Sequence, residues 1–442
     1  MKSIFLISLG CAKNLVDSEN MLGLLKERGY SIAPSLEESK IAIVNTCGFI
    51  KPAVEECIDT ILELADRKLA GDLDAIVVAG CFVQRYGYKL IHEMPEVDGW
   101  LGTGEIERLP ELLDSLGCDR PFYINKPEFI ADHNTPRVQT TPFYSAYLKI
   151  AEGCSHRCSF CSIPMIRGRF RSREIDSLIT EARGMAERGV KEVNLVAQDT
   201  TMYGRDLSGG AVLEDLLERL LEVRGLEWIR ILYSHPMGIS ERLLDIIEGN
   251  ERVCPYLDIP MQHVNMEILK KMGRGDNNES PIRLIERIKA RKRRISIRTS
   301  LMVGFPGETD DAFMELYEFV RTAEFDHLGT FIYSPERGTH AARLKGLPDP
   351  QMSEERLNAI MTLQKKISKK RNSKLVGRTF PVLIEGVSPE TELLLTGRTA
   401  WMAPDVDGQV LINEGNGKVG EIMQVLIHES HPYDLVGEII QA

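Results

Sequence analysis

The hydrophobic pattern at the start of the chain alternates between short apolar runs and amphipathic stretches. Apolar runs occur at residues 4–8, 41–44 and 75–79, and helical spacing of apolar positions follows them, as in residues 54–64. Strands that are buried on both faces form continuous apolar runs, so this alternation predicts a parallel sheet covered by helices. We predict an α/β domain over residues 1–118.

The pattern then changes twice along the chain. Residues 119–143 show little periodicity and are predicted to be a linker. The alternation resumes over residues 144–350 with about six strand–helix units, which predicts a full or partial (β/α) barrel. A helix over residues 351–374 leads to residues 375–442, where short strands and Gly-rich turns predict a small antiparallel β-barrel of the oligomer-binding type. The predicted strands of the central domain are Leu148–Ile150, Glu192–Val196, Trp228–Leu232, Tyr256–Ile259, Ile297–Met302 and His327–Ile332.

Composition and charge narrow the class of protein. With 442 residues and 43% hydrophobic residues, the chain is long enough to form several cores. Its 65 acidic residues outnumber 54 basic ones, which argues against a nucleic-acid binder that relies on overall positive charge and suits a basic protein partner. No apolar run reaches the roughly 18 residues that span a bilayer, and the run at residues 4–7 is too short for a signal peptide. We expect a cytoplasmic protein without membrane contact or disulfides.

Three cysteines lie close together after the first predicted strand of the central domain. Cys154, Cys158 and Cys161, here called the barrel triad, have the spacing C-x3-C-x2-C, with Phe160 before the third. Three thiolates suit a [4Fe–4S] cluster whose fourth iron is left open to a small molecule. The alternative is a structural zinc site in a non-catalytic RNA-binding protein, with His156 or a distant residue as fourth ligand. Zinc usually requires two separated ligand pairs, so the spacing favours the cluster.

Three further cysteines each follow one of the apolar strands of the first domain. They are Cys11, Cys47 and Cys81, here called the amino-terminal triad, and each has a glycine directly beside it. The carboxyl ends of parallel strands meet at one edge of a sheet, where ligands usually bind, so the three thiols should converge. Buried core cysteines are the alternative, but three equivalent placements favour a second cluster. The remaining cysteines are assigned no role: Cys57, Cys118 and Cys254.

Together these features resemble the radical S-adenosylmethionine methylthiotransferase family over essentially the whole chain. In the radical S-adenosylmethionine superfamily, the open iron of the C-x3-C-x2-C cluster binds S-adenosylmethionine and yields a 5′-deoxyadenosyl radical. The resemblance implies an auxiliary [4Fe–4S] cluster on the amino-terminal triad and a carboxy-terminal TRAM module. It also implies a transferase that inserts a methylthio group into a C–H bond, with S-adenosylmethionine as both radical source and methyl donor and with an external electron donor.

Several segments are similar to the branch of that family that modifies the β-carbon of an aspartate in small-subunit ribosomal protein S twelve. They are residues 8–19, 197–201 and 256–263. Residues 374–442 agree, because four basic and ten acidic side chains suit a basic ribosomal protein better than RNA. Departures from the branch are Ala12, where proline is frequent, and Trp401 with Met402, where an acidic residue is usual. The alternative substrate is a tRNA adenosine beside the anticodon.

The sequence also contains weaker candidates for binding residues besides the six cysteines. Phe160, Gln198, Gly304 and Gly307 are candidate contacts of S-adenosylmethionine, because radical barrels place a strand end and a glycine turn near it; a plain strand-to-helix turn explains the glycines nearly as well. Four arginines after the barrel triad suit carboxylates, with a solvated loop as the alternative: Arg167, Arg169, Arg171 and Arg173. The basic runs 291–294 and 365–374 could contact ribosomal RNA, although most charge runs are solvated helix faces.

Overall fold

The computed structural model describes residues 3–117, 120–275 and 279–440. The predicted boundary at residues 118 and 119, together with Cys118, lies outside the described residues. Two parallel sheets and a closed barrel follow one another along the chain. In the described ranges, no helix combines the length and the apolar character that crossing a membrane requires.

The first domain contains a six-stranded parallel sheet. Its elements are β1 (Ser3–Ser8), α1 (Ala12–Glu27), β2 (Ser31–Ile32), β3 (Ile41–Thr46), α2 (Lys51–Leu69), β4 (Ala75–Gly80), α3 (Cys81–Tyr86), α4 (Leu90–Glu93), β5 (Gly99–Leu101), α5 (Leu109–Asp114) and β6 (Phe122–Tyr123). The strand order is β2-β1-β3-β4-β5-β6. Alternate side chains of β4 enter different apolar clusters, Ile76 and Val78 in one and Val77 and Ala79 in the other. The sheet is therefore buried on both faces, as the continuous apolar runs predict.

Part of the segment predicted to be a linker packs with the first domain. β6 pairs in parallel with β5 at the edge of the sheet. Beyond β6, the Nε of Arg137 donates to the buried carboxylate of Glu19 in α1 at 2.8 Å, and the backbone N–H of Thr140 donates to the same carboxylate at 2.6 Å. This part of the chain therefore differs from the predicted linker. A strand of two residues is too short to show an alternation of apolar and polar positions, so the hydrophobic pattern could not predict it.

The second domain is an open sheet of six parallel strands with flanking helices. Its elements are β7 (Ser145–Lys149), β8 (Ala151–Glu152), α6 (Ile163–Arg167), β9 (Arg171–Ser172), α7 (Ile175–Glu187), β10 (Glu192–Val196), α8 (Leu213–Leu221), β11 (Trp228–Ile231), α9 (Glu241–Gly249), β12 (Val253–Asp258), α10 (Met266–Lys271), α11 (Pro281–Lys289), β13 (Ser296–Val303), α12 (Asp310–Ala323) and β14 (His327–Ile332). The strand order β14-β13-β12-β11-β10-β7 follows the chain order, as in a (β/α) barrel, so the partial form of the predicted barrel is observed. β8 and β9 form a separate antiparallel sheet of two strands, with α6 between them in the chain.

A long helix leads to a closed five-stranded barrel. The elements are α13 (Pro350–Ser373), β15 (Thr379–Ser388), β16 (Thr391–Thr399), β17 (Val410–Glu414), β18 (Ile422–Ser430) and β19 (Leu435–Ile439), and the barrel order is β15-β16-β17-β19-β18. The predicted small barrel is confirmed, with one difference: β17 and β19 run parallel. A closed barrel with an odd number of strands cannot alternate direction throughout, so one parallel pair is required.

Buried ion pairs attach the third domain to the second. The carboxylate of Glu192 accepts hydrogen bonds from Arg230 at 2.9 Å and from Arg398 at 2.7 Å, and all three side chains are buried. The hydroxyl of Tyr256 donates to Asp407 at 2.7 Å. Asp407 therefore belongs to the interface between the domains rather than to the outer surface.

Candidate active site

One cavity of about 360 Å³ lies between the first and second domains. Its lining contains every cysteine of both triads: Cys11, Cys47, Cys81, Cys154, Cys158 and Cys161. All six are free thiols. The first three stand beyond the carboxyl ends of β1, β3 and β4, and the others lie in the loop after β8. The fold thus brings the two triads to a common space.

Glycines allow the loops of the amino-terminal triad to approach one another. Gly10 has a φ of +94°, and a Cβ at this position would lie 2.8 Å from the Cβ of Cys47. A Cβ at Gly48 would lie 2.8 Å from the backbone carbonyl carbon of Cys81. Any larger residue at either glycine would push neighbouring cysteine loops apart.

Backbone hydrogen bonds hold the loop of the barrel triad in place. The N–H of Cys154 donates to the carbonyl of Gly168 at 3.1 Å, and the N–H of Cys161 donates to the carbonyl of Cys158 at 3.1 Å. Burial raises the pKa of the Cys154 thiol to about 11 and that of Cys161 to about 12. Both thiols are therefore protonated at neutral pH without a metal, and metal binding must release their protons.

The amino-terminal triad has a different electrostatic environment. Burial raises the pKa of the Cys81 thiol to about 12 and also raises that of Cys47. Burial likewise favours the neutral thiol of Cys11, but the positive charges of Lys13 and Arg167 outweigh it and lower the pKa of Cys11. One thiol of this triad is therefore more readily ionised than its neighbours.

Arg167 connects the two triads through a buried charge network. It ends α6, downstream of the barrel triad, and its Nε donates to the Sγ of Cys81 at 3.3 Å. Its Nη1 pairs with Asp17 and, at 3.3 Å, with Glu152, and Lys149 pairs with the same two carboxylates. Arg167 is therefore buried and pairs with carboxylates of the protein itself, rather than lying in a solvated loop.

Two histidines and an aspartate meet beside the barrel triad. The Nε2 of His156 lies 2.6 Å from the Oδ2 of Asp199, and the rings of His156 and His235 stack with centroids 4.1 Å apart. Asp199 Oδ1 also accepts from the backbone N–H of Thr201 at 2.9 Å. Burial lowers the pKa of His235 to about 3, so this ring is neutral at pH 7. The three side chains could together hold a metal ion.

Family models match three parts of the chain. They are Uncharacterized protein family UPF0004 over residues 3–102, the Radical SAM superfamily over 148–320 and the TRAM domain over 376–440. The chain is 48% identical over 441 residues to ribosomal protein uS12 methylthiotransferase RimO of Geotalea uraniireducens, covering 99% of this chain and 98% of that protein. It is 47% identical to the RimO of Geobacter sulfurreducens, covering 99% of both.

The chain belongs to the RimO methylthiotransferase family. It is a radical S-adenosylmethionine methylthiotransferase, and its cofactors are S-adenosylmethionine and iron–sulfur clusters. The predicted family and enzyme class are therefore confirmed. Among solved structures, the radical S-adenosylmethionine methyltransferase TsrM from Kitasatospora setae aligns with a TM-score of 0.54 over 75% of each chain, at 16% identity. That likeness supports the fold alone.

The weaker candidates have different outcomes in this RimO-family chain. Phe160 and Gln198 line the cavity, and the Nε2 of Gln198 donates to Glu152 at 3.0 Å. Gly304 and Gly307 are not among the described residues that line it. Both have a positive φ, and a Cβ at Gly304 would lie 2.5 Å from the Oγ of Ser353 in α13. Packing on α13 and a positive φ account for Gly304, and a positive φ accounts for Gly307; contact of either glycine with S-adenosylmethionine stays a prediction.

The cavity of the RimO-family chain also contains residues that were not singled out as candidate contacts. Lys13 and Gln262 lie within segments similar to the branch, whereas Phe49, Tyr233 and Arg274 lie outside every such segment. Tyr233 and Gln262 have positive φ angles of 58° and 69°, which are rare outside glycine. Such backbone strain concentrates at functional sites, but the sequence gives no sign of it.

Proposed function

We propose that the chain attaches a methylthio group to the β-carbon of an aspartate in uS12, the small-subunit ribosomal protein S twelve. The observation that carries this proposal is that both cysteine triads line one cavity in a RimO-family chain. When bound, two [4Fe–4S] clusters and S-adenosylmethionine supply the radical, the sulfur and the methyl group.

The cavity residues fit two clusters of three cysteines each. The barrel triad would hold the cluster that binds S-adenosylmethionine, and the amino-terminal triad would hold the auxiliary cluster. Among the described cavity residues each triad has three thiols and no fourth cysteine, which leaves one iron of each cluster without a thiolate. The Nε2 of His156 contacts Asp199 rather than a cysteine, which speaks against this nitrogen as the fourth zinc ligand of the barrel triad.

The surrounding residues keep the two triads opposed and limit the access of water. The buried network of Arg167, Lys149, Asp17 and Glu152 joins the first domain to the second. These charges are paired in a region of low dielectric constant. Separating the domains would expose them to water or leave them buried without a partner. The wall also contains the apolar side chains of Phe49, Phe160 and Ile163, which exclude water from a reactive intermediate.

The surface of the third domain supports a basic protein as substrate. Asp405 and Asp407 contact the second domain, and Glu385 pairs with Arg398 inside the third domain. Other carboxylates remain exposed and available to a basic protein: Glu390, Glu392, Glu414, Glu421 and Glu429. The substrate also supports a place in the cytoplasm, where ribosomes assemble, and the reaction calls for an external electron donor.

Fewer basic residues are available for the proposed contact with ribosomal RNA than the sequence indicated. Arg291 pairs with Glu241 and Asp245, and Arg294 pairs with Asp326. These arginines hold the second domain together. The exposed lysines of α13 are better candidates for an RNA contact: Lys365, Lys366 and Lys369.

The test is anaerobic reconstitution followed by mass analysis of uS12. We expect a methylthio mass increment on one aspartate with the wild type and no increment with Cys158→Ala or Cys47→Ala. Cys254→Ala is the matched control, because Cys254 is buried in β12 and does not line the cavity. An unmodified uS12 together with a methylthiolated adenosine in treated tRNA would contradict the proposal, and a colourless protein with bound zinc would contradict both substrates.

A further inference from the structure

A buried ammonium group in the cavity wall has no carboxylate partner. Lys13, at the start of α1, is 8% exposed and lines the cavity. Its Nζ lies 3.1 Å from the centroid of the Tyr233 ring. In the described part of the chain, no carboxylate lies within ion-pair distance of this Nζ; the charge of Asp258 acts on it from farther away. A buried charge is costly unless it is paired, so Lys13 marks a place for an anion.

The other cations of the cavity differ from Lys13. The charge of Arg167 is matched by Asp17 and Glu152. Arg274 donates to the carbonyl of Pro260, and its charge acts on the thiols of the barrel triad. Lys13 instead acts on Cys11 of the amino-terminal triad, two residues away. Its cationic charge therefore faces the side of the cavity that would hold the auxiliary cluster.

The Tyr233 ring keeps this ammonium group in position. Tyr233 follows β11 with a φ of +58°, and its backbone N–H donates to Asp258 at 3.1 Å. A cation over an aromatic face gains attraction without a hydrogen-bond acceptor, which leaves the ammonium hydrogens for a ligand. A strained backbone that fixes an aromatic support is consistent with a binding role.

The chemistry of the proposed reaction identifies the anion. Sulfur must reach the β-carbon of the substrate aspartate from the side of the auxiliary cluster. The carboxylate of that aspartate is bonded directly to the β-carbon, so it must also lie near the amino-terminal triad. An ammonium group beside Cys11 is placed to receive it.

We propose that Lys13 binds the side-chain carboxylate of the substrate aspartate and selects aspartate over asparagine. This inference rests on the proposed function and deepens it. The ion pair fixes rotation about the bond between the β-carbon and the carboxylate, and so orients the C–H bond that reacts. Replacing the carboxylate by an amide leaves the buried ammonium without its counter-charge, which is the basis of the selectivity.

The experiment measures binding of two forms of uS12, with the target aspartate or with asparagine in its place, to the anaerobically reconstituted enzyme. We expect the wild type to bind the aspartate form at least about tenfold more tightly. Lys13→Met should lose this preference, whereas Lys13→Arg should keep most of it. Lys89→Met, at an exposed lysine away from the cavity, is the control and should behave as the wild type.

A second readout separates substrate binding from a role in balancing the charge of the auxiliary cluster. Iron content and the electron paramagnetic resonance spectrum of the reduced auxiliary cluster are recorded for each variant. We expect Lys13→Met to retain both while losing the preference for aspartate. A changed spectrum together with an equal loss of affinity for both forms of uS12 would overturn the inference.

The remaining outcomes distinguish the inference from the function on which it rests. If the wild type modifies uS12 and Lys13→Met still prefers aspartate, the role of Lys13 is wrong and the proposed function stands. If the wild type neither binds nor modifies uS12, both are wrong. If Lys13→Met does not fold, Lys13→Gln takes its place, and its retention of the preference would likewise overturn the inference.

Discussion

The two triads reach the same cavity by different routes. The barrel triad lies within a single loop, held by backbone hydrogen bonds such as that from Cys154 to Gly168. The amino-terminal triad is assembled from three strand ends that are distant in the chain, and its geometry depends on the whole parallel sheet. A motif within one loop can keep its geometry while distant parts of the fold change. A site that is assembled from three strand ends loses its geometry when any of the three loops moves.

The triads also differ in the charge around one thiol. Against the effect of burial, Lys13 and Arg167 lower the pKa of Cys11, whereas burial raises the pKa of Cys47 and Cys81 in the same triad and of Cys154 and Cys161 in the barrel triad. A cationic environment suits thiolates that carry negative charge onto a cluster. The comparison therefore predicts different consequences for equivalent changes at the two sites.

The largest expected effect comes from removing one cysteine from each triad. Cys158→Ala and Cys47→Ala should both abolish methylthiolation, because each triad has only three thiols. Only Cys47→Ala should still cleave S-adenosylmethionine to 5′-deoxyadenosine, which liquid chromatography detects. Cleavage by Cys158→Ala at the wild-type rate would contradict the division of roles between the triads.

A large loss of stability is expected for Arg167→Met. The change leaves two buried carboxylates, Asp17 and Glu152, with Lys149 as their remaining cation. Breaking a buried ion pair in this way costs about 3–5 kcal/mol in the free energy of unfolding, which chemical denaturation measures. The exposed Arg169→Met is the control, with a change within about 0.5 kcal/mol. Equal effects of the two substitutions would show that the network does not hold the domains.

A smaller effect distinguishes steric contact from backbone strain at the amino-terminal triad. Gly29→Ala places a Cβ at a φ of +81° with nothing within 4 Å, and should cost about 1–2 kcal/mol. Gly10→Ala adds the contact with Cys47 to a similar strain, so it should cost more and reduce iron binding at this triad alone. Iron analysis and denaturation of both variants test this, and iron loss from Gly29→Ala would argue against the steric account.

The smallest effect concerns thiol reactivity in metal-free protein. Since the pKa of Cys11 is lowered, its alkylation rate should level off with rising pH while that of Cys161, with a pKa of about 12, still increases. Peptide mass analysis after brief iodoacetamide treatment gives both rates. If the alkylation rates of Cys11 and Cys161 depended on pH in the same way, the proposed electrostatic difference between these two thiols would be wrong.

The sequence was sufficient to group the cysteines of both triads, for two separate reasons. Spacing identified Cys154, Cys158 and Cys161, because they lie within a single loop. The rule that parallel strands share their carboxyl ends identified Cys11, Cys47 and Cys81, once the apolar runs indicated the strands. These are general features of chain geometry, so they require no knowledge of side-chain packing.

The residues around the triads could not be predicted in the same way. Lys13, Tyr233 and Arg274 come from separate segments, and whether a cation is paired depends on neighbours that only the folded chain brings close. Gly304 and Gly307 illustrate the converse, because a turn requires glycine for its backbone whether or not a ligand is near. The parallel pair of β17 and β19 followed from barrel closure, which the strand pattern does not show.

Both triads are proposed to hold iron around one cavity. The most direct test is a crystal structure of the anaerobically reconstituted protein, with anomalous diffraction measured at the iron absorption edge. We predict two separate iron clusters in the same cavity, one beside Cys154, Cys158 and Cys161 and the other beside Cys11, Cys47 and Cys81. A single iron cluster, or metal bound instead by His156, Asp199 and His235, would contradict the account.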